Sequence, residues 1–150
     1  MRTFNGLEAL SGAVGEQLGT SDWHEVTQEQ VNLFAQATGD HQWIHVDPQK
    51  AASGPFGRTI AHGYLTLSLL PALVAEIFAV EGVSMGVNYG ANKVRFPAPV
   101  PVGSRVRASA QLVELTPGPA GTQCVVRATI EVEGSEKPAC VADVVWVYVP

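Results

Sequence analysis

Residues 59–80, TIAHGYLTLSLLPALVAEIFAV, contain one charged side chain, Glu76. The run is too long for a strand. It is too short and interrupted for a membrane span, which needs about 20 consecutive apolar residues. A helix that is apolar on all sides must be buried, so this segment is expected as a helix enclosed by the rest of the fold. Pro71 removes one backbone donor and is expected to kink it. The remainder of the chain therefore has to supply a surface that wraps around residues 60–80.

That surface is legible downstream. After Glu81-Gly82 the apolar period changes to two. Val106, Ala108, Ala110 and Leu112 alternate with Arg105, Arg107, Ser109 and Gln111. Cys124, Val126, Ala128, Ile130 and Val132 alternate with polar residues apart from Val125. Such alternation marks antiparallel strands with one wet face. Thr116–Gly121 and Gly134–Lys137 are expected as hairpin links. The segment from Ala139 to Val149 is apolar on both faces except for Asp143, which suits a central strand or one covered by a subunit contact. One buried helix and a run of long antiparallel strands give an α+β architecture. Residues 1–150 are expected as a single domain, a length that buries roughly two-thirds of the unfolded surface. A sheet of this kind has a free edge, and pairing of edges makes a homodimer the expected assembly.

Composition narrows the function classes. Net charge is −5 and the nine Lys and Arg residues are scattered, which argues against a nucleic-acid surface. The N-terminus, MRTFNGLEALSGAVGE, lacks a basic region followed by an apolar run, so no signal peptide is expected. Cys124 and Cys140 fall in strand-like apolar runs and read as buried thiols. These features together lead to an expected cytoplasmic location.

Chemistry-bearing residues concentrate in GDHQWIHVDP, residues 39–48. The stretch is bounded by helix signals. Thr27 and Gln30 form a capping box for a preceding helix, which Gly39 ends. Asp47 and Pro48 suit the N-cap and first position of a following one, running to Ala52. A metal site would need His41 and His45 on one helical face with Asp40 or Asp47 as a third ligand. The helix ends break that face, no CxxC or HExxH accompanies it, and no metal or other cofactor is expected. His41 is expected to face solvent. Asp40 and His45, five residues apart in a loop, can instead converge on one water, where a carboxylate and an imidazole exchange protons near neutral pH. Gly63, at the start of the apolar helix, offers a backbone N–H free of intrahelical partners and aligned with the helix dipole. Such a donor suits an oxygen that gains negative charge. His62 precedes it and can cap, pack or contribute to the site.

GDHQWIHVDP followed by FGRTIAHGYLTLSLLPAL resembles the hydratase 2 motif of MaoC-like, (R)-specific enoyl-CoA hydratases, and NKVRFPAPVPVGSRVR resembles the segment preceding that family's long strands. The resemblance covers roughly residues 20 to 150, and D-x4-H and A-H-G agree with it in order and spacing. It implies a hot-dog fold, with a long central helix wrapped by an antiparallel sheet. It also implies reversible hydration of trans-2-enoyl-CoA to (R)-3-hydroxyacyl-CoA in fatty-acid metabolism. Carried over, Asp40 and His45 hold and activate water while the Gly63 N–H meets the thioester oxygen. The family often has Asn-Pro where this chain has Gln42-Trp43; Gln42 then offers a longer amide and Trp43 an aromatic for the acyl pocket. Some relatives have serine in place of Pro71. Asn88, Tyr89, Asn92, Lys93 and Arg95 form a polar, cationic segment, in which Asn92 and Arg95 suit the substrate's CoA or acyl-carrier-protein portion. Two further activities fit the scaffold, a hot-dog acyl-CoA thioesterase and an (R)-3-hydroxyacyl-carrier-protein dehydratase.

Overall fold

A computed structural model describes residues 1–150. In chain order the elements are β1 (Arg2–Phe4), α1 (Gly6–Ser11), β2 (Gln17–Thr20), β3 (His24–Glu25), α2 (Gln28–Thr38), α3 (Trp43–Val46), α4 (Pro48–Ala52), α5 (Gly63–Ser68), α6 (Leu70–Ala75), β4 (Phe78–Val80), β5 (Met85–Arg95), β6 (Arg105–Gly118), β7 (Gly121–Val132) and β8 (Cys140–Val149). The main sheet is antiparallel in the order β2-β6-β7-β8-β5, with β3 also paired to β6. β1 and β4 form a separate parallel pair.

The period-two reading of the C-terminal half holds. Val106, Ala108, Ala110 and Leu112 from β6 are buried, as are Cys124, Val126, Ala128 and Ile130 from β7. They join Ala142 and Val144 of β8, and Leu65, Leu70, Leu73 and Val74 of the central helices, in one core of 27 residues. Burying each such aliphatic side chain contributes roughly 1.5–3 kcal/mol relative to leaving it in water. β8 is internal, between β7 and β5, in keeping with its apolar character. Burial pushes the Cys124 thiol up to about 12 and the Cys140 thiol up to about 11, so neither forms a thiolate near neutral pH. The β6–β7 hairpin is tighter than expected: both strands continue through the Pro-Gly stretch, and Gly118 pairs with Gly121.

Residues 59–80 are not one helix. The backbone of residues 59–61 is drawn into a ladder instead. The Ile60 N–H donates to the Ile44 carbonyl at 3.0 Å and the Ala61 N–H to Val100 at 2.8 Å, while the Thr59 carbonyl accepts from Val102 at 2.9 Å. The helical part is split at Leu69, two residues before Pro71, and Phe78–Val80 leaves it to pair with β1. The kink falls where a missing proline donor places it. No helix is long and apolar enough to cross a membrane.

β5 was not legible as a strand. It runs from Met85 to Arg95 along the sheet edge, with a break in register between Asn88 and Gly90 and another between Asn92 and Arg95. At the second, Lys93 adopts φ +54°, a conformation uncommon for a side chain larger than glycine.

Candidate functional site

Three short-range signals assemble one wall of the site. Thr27 Oγ1 accepts the Gln30 N–H at 3.1 Å, as the capping box requires. At the other end of α2, Gly39 adopts φ +83° and its N–H closes on the Ala35 carbonyl, which turns the chain sharply toward α3. Asp47 caps α4, accepting the Lys50 N–H at 3.0 Å. The stretch between these caps is not a plain loop: residues 43–46 form a single helical turn, with His45 on its inner side, 6% exposed.

His45 Nδ1 lies 2.7 Å from the Ile60 carbonyl oxygen. A carbonyl only accepts, so Nδ1 carries the hydrogen and Nε2 of the neutral ring keeps its lone pair. Burial lowers the His45 pKa from its ordinary 6.5, with the nearby His62 adding to the fall, while the Ile60 hydrogen bond and the Asp40 carboxylate oppose it. The ring is therefore held as a neutral base near pH 7. Asp40 is exposed on the turn after Gly39, and its Oδ1 accepts the Gln42 N–H at 3.3 Å. His62 is 2% exposed and stacks on His45, with ring centroids 3.9 Å apart and planes 25° from parallel.

Donor atoms of Asp40, His45 and His62 all lie within 4.8 Å of one another. Chelation through both imidazoles would need in-plane lone pairs that meet at one point. Stacked rings hold those lone pairs in near-parallel planes, so the arrangement suits proton exchange rather than a metal. His41, which a metal site read from the sequence would have paired with His45, is exposed.

Beside this cluster is a pocket of about 290 Å³ lined by His45, Ile60, Gly63, Thr66, Phe96 and Val100, among others. Its walls are otherwise almost wholly apolar. Gly63 opens α5, and its N–H makes no hydrogen bond within the chain. A Cβ at Gly63 would stand 3.2 Å from the Phe96 ring. The glycine is thus favoured by close approach of an aromatic rather than by an unusual φ.

The other sequence-level site residues are dispersed. Gln42 is exposed and contributes backbone groups, its carbonyl accepting the His45 N–H at 3.0 Å. Trp43 packs against Gly54, with the Lys50 ammonium 4.6 Å from its ring centre, and does not line the pocket. Asn92 and Arg95 lie exposed on β5, also outside the pocket lining. Pro71 lines a separate cavity of about 470 Å³ with Leu70, Val144 and Trp146.

Two residues were missed. Gln28 donates from Nε2 to the His45 carbonyl at 2.8 Å and accepts the Thr59 hydroxyl at 2.6 Å. It ties both segments of the site, α3 and the extended residues at 59–61, to α2, yet its partners are 17 and 31 residues away, beyond any local motif. Phe96 was read only as part of a resembling segment; Phe96–Val100 closes over the pocket because Val100 pairs with Ala61.

A buried helix cupped by an antiparallel sheet, with an imidazole–carboxylate pair beside an apolar pocket, defines a hot-dog-fold enzyme. The chain belongs to the MaoC-like dehydratase family: the family's profile, described as "MaoC like domain", matches residues 9–135. It is a hydro-lyase of that family. It is 61% identical over 150 residues to 3-hydroxyacyl-thioester dehydratase Z of Mycobacterium tuberculosis, covering 99% of both chains. It is 44% identical over 144 residues to nodulation protein N of Rhizobium leguminosarum, covering 94% of this chain and 88% of that protein. Among solved structures, the (R)-hydratase from A. caviae involved in PHA biosynthesis superposes with TM-score 0.74 at 26% identity, covering 91% of this chain and 96% of that one.

Proposed function

We propose that this protein interconverts (R)-3-hydroxyacyl thioesters and trans-2-enoyl thioesters plus water, acting on acyl groups carried by CoA or acyl-carrier protein. The observation that carries the reading is that neutral His45 and the unpaired Gly63 N–H line one apolar pocket, with the Asp40 carboxylate within 4.8 Å of a His45 ring nitrogen. In the hydration direction, a water held between His45 Nε2 and the Asp40 carboxylate adds its oxygen to C3. The pair takes up one proton from that water and returns one proton to C2, ending in its starting state. Both additions occur on one face of the double bond, because one pair serves both. Negative charge that gathers on the thioester oxygen is met by the Gly63 N–H. Dehydration is the same path reversed.

The reading includes a homodimer joined along β5. That strand has a partner on one side only, and Met85, Val87 and Tyr89 stand exposed on it, with Tyr89 at 68%. Unpaired edges and apolar patches are commonly covered by a second copy. Asn92 and Arg95 would then lie at the junction of the two subunits, where a carrier's phosphate can reach them. Sedimentation of the wild type and of Tyr89→Lys checks this, with the substituted chain expected to sediment as a monomer.

The activity is tested by following loss of enoyl absorbance with crotonyl-CoA and longer trans-2-enoyl thioesters, on CoA and on acyl-carrier protein. Asp40→Asn and His45→Gln are expected to lose roughly 10²–10⁴-fold in turnover. Equal rates in all three proteins would sink the assignment, and release of free thiol without hydration would select a thioesterase instead.

A further inference from the structure

His62 has a buried ring nitrogen for which the fold provides no partner. Its Nε2 lies 3.0 Å from the backbone carbonyl oxygen of Asp40. Because that oxygen only accepts, Nε2 carries the hydrogen, and Nδ1 of the neutral ring holds an unshared pair. Nδ1 has no hydrogen-bond partner and is fully buried. Leaving a buried polar atom unpaired is destabilising. The ring also touches Phe34, with centroids 4.8 Å apart, so a phenylalanine here would fill a largely aromatic slot without that cost. What phenylalanine lacks is the N–H that reaches Asp40 across 22 residues of chain.

We propose that His62 is a positioning residue, whose stacked ring and Nε2–H hold His45 and Asp40 in one mutual geometry. This rests on the hydratase reading above and assigns His62 no contact with the substrate. Asp40 sits on an exposed turn whose other ties are long ones, 3.4 Å from its N–H to the Thr38 hydroxyl and 3.3 Å from the Gln42 N–H to its Oδ1. The bond from His62 fixes the turn from the buried side. Stacking fixes the His45 ring face, while the Ile60 carbonyl fixes its edge. The pair also has an electrostatic consequence, since the His62 imidazole, 3.9 Å away, disfavours protonation of His45. The titratable groups that bear on His45 are Asp40, from the turn after α2, and His62, from the residue before α5. Apart from His45 itself, no residue lining the pocket carries an ionisable side chain. His62 thereby helps keep His45 neutral.

Two substitutions separate these roles. His62→Phe keeps a ring and loses the donor; His62→Gln keeps a donor near the Nε2 position and loses the ring. His62→Phe is expected to lower kcat by about ten- to a hundredfold with a smaller change in KM, the scale of a misplaced catalytic group. His62→Gln is expected to recover part of that loss. In both variants the acid limb of kcat/KM moves to higher pH, because a neighbour that opposed protonation of His45 is gone. A residue that only packs would reduce the folded fraction and leave the limb in place.

The His45 imidazole is also followed by NMR titration, which needs no turnover. Its midpoint is expected to rise in both variants, and Asp40 amide exchange to quicken in His62→Phe. An unchanged His45 midpoint together with unchanged kcat per folded molecule overturns the proposal, even where wild-type hydratase activity is confirmed. If the wild type lacks hydratase activity, the hydratase reading fails, and the NMR titration still decides whether His62 positions His45. Should His62→Phe not fold, His62→Gln alone carries both readouts.

Discussion

The outer face of β6–β8 and the cleft between α2 and α5 handle polar groups in opposite ways. On the sheet, Arg105, Arg107 and Arg127 each meet a carboxylate directly across the ladder, Glu133, Glu131 and Asp143 respectively. The Arg127–Asp143 pair is bidentate, at 2.8 and 3.0 Å. Exposed pairs such as Arg105–Glu133 and Arg107–Glu131 contribute little individually and can be lost without leaving a buried charge, whereas the Asp143 side chain is only 13% exposed and depends more on Arg127. In the cleft, two imidazoles are stacked out of water, one nitrogen is left unpaired, and a backbone N–H has no acceptor. The sheet is arranged for stability and tolerates loss of its polar partners. The cleft spends stability to hold groups in a defined protonation state and direction.

That contrast can be broken most forcefully in the core beneath the sheet. Leu112 is fully buried, so Leu112→Ala is expected to cost about 2–5 kcal/mol of stability. Urea denaturation reads this as a lower midpoint, while turnover per folded molecule stays at the wild-type value. A loss of turnover in the folded fraction would mean that the two regions are coupled.

In the cleft the reverse balance is expected. Gly63→Ala places a methyl group 3.2 Å from the Phe96 ring, at the mouth of the pocket. We expect kcat/KM to fall about ten- to a hundredfold, with the urea midpoint nearly unchanged. Adding Phe96→Leu should restore much of the rate by making room, and steady-state kinetics of the single and double variants checks both.

Proton linkage gives a smaller effect. The His45 pKa is lowered in the folded state from 6.5, so the unfolded chain binds that proton more readily. Its contribution to stability is fully present above pH 6.5 and is lost as pH falls from there through the folded-state value. The wild type should therefore lose stability over this window more steeply than His45→Gln, compared by urea titration at each pH. Equal slopes would show that His45 is not buried as a neutral ring.

The smallest effect belongs to the outer sheet face. Arg105→Gln is expected to leave both the urea midpoint and the turnover unchanged within error, because Arg105 and Glu133 are each about half exposed.

Local sequence carried far more of the fold than of the site. Alternation settled the buried faces of β6 and β7, because side-chain direction in a strand depends on position alone. Thr27, Gly39, Asp47 and Pro48 marked helix ends, because capping is satisfied within a few residues. The apolar stretch at residues 59–80 announced burial but not shape. Its first residues turned out extended and its last a strand, since segments far along the chain, Val100–Val102 and Arg2–Phe4, claimed their backbone groups. β5 lacked alternation because both of its faces are exposed in a single chain, leaving no periodic signal to read.

The spacing of Asp40 and His45 and the glycine at position 63 were determined by sequence alone, and with them the family. Tertiary structure decided which hydrogen each imidazole carries, since the Ile60 and Asp40 carbonyls lie 15 and 22 residues from the rings they fix. It also brought Gln28 and Phe96 to the site and left Trp43, Asn92 and Arg95 outside the pocket lining. The physical reason is range. Caps and pleats are satisfied by near neighbours, whereas a protonation state depends on burial and on partners that only the folded chain brings together.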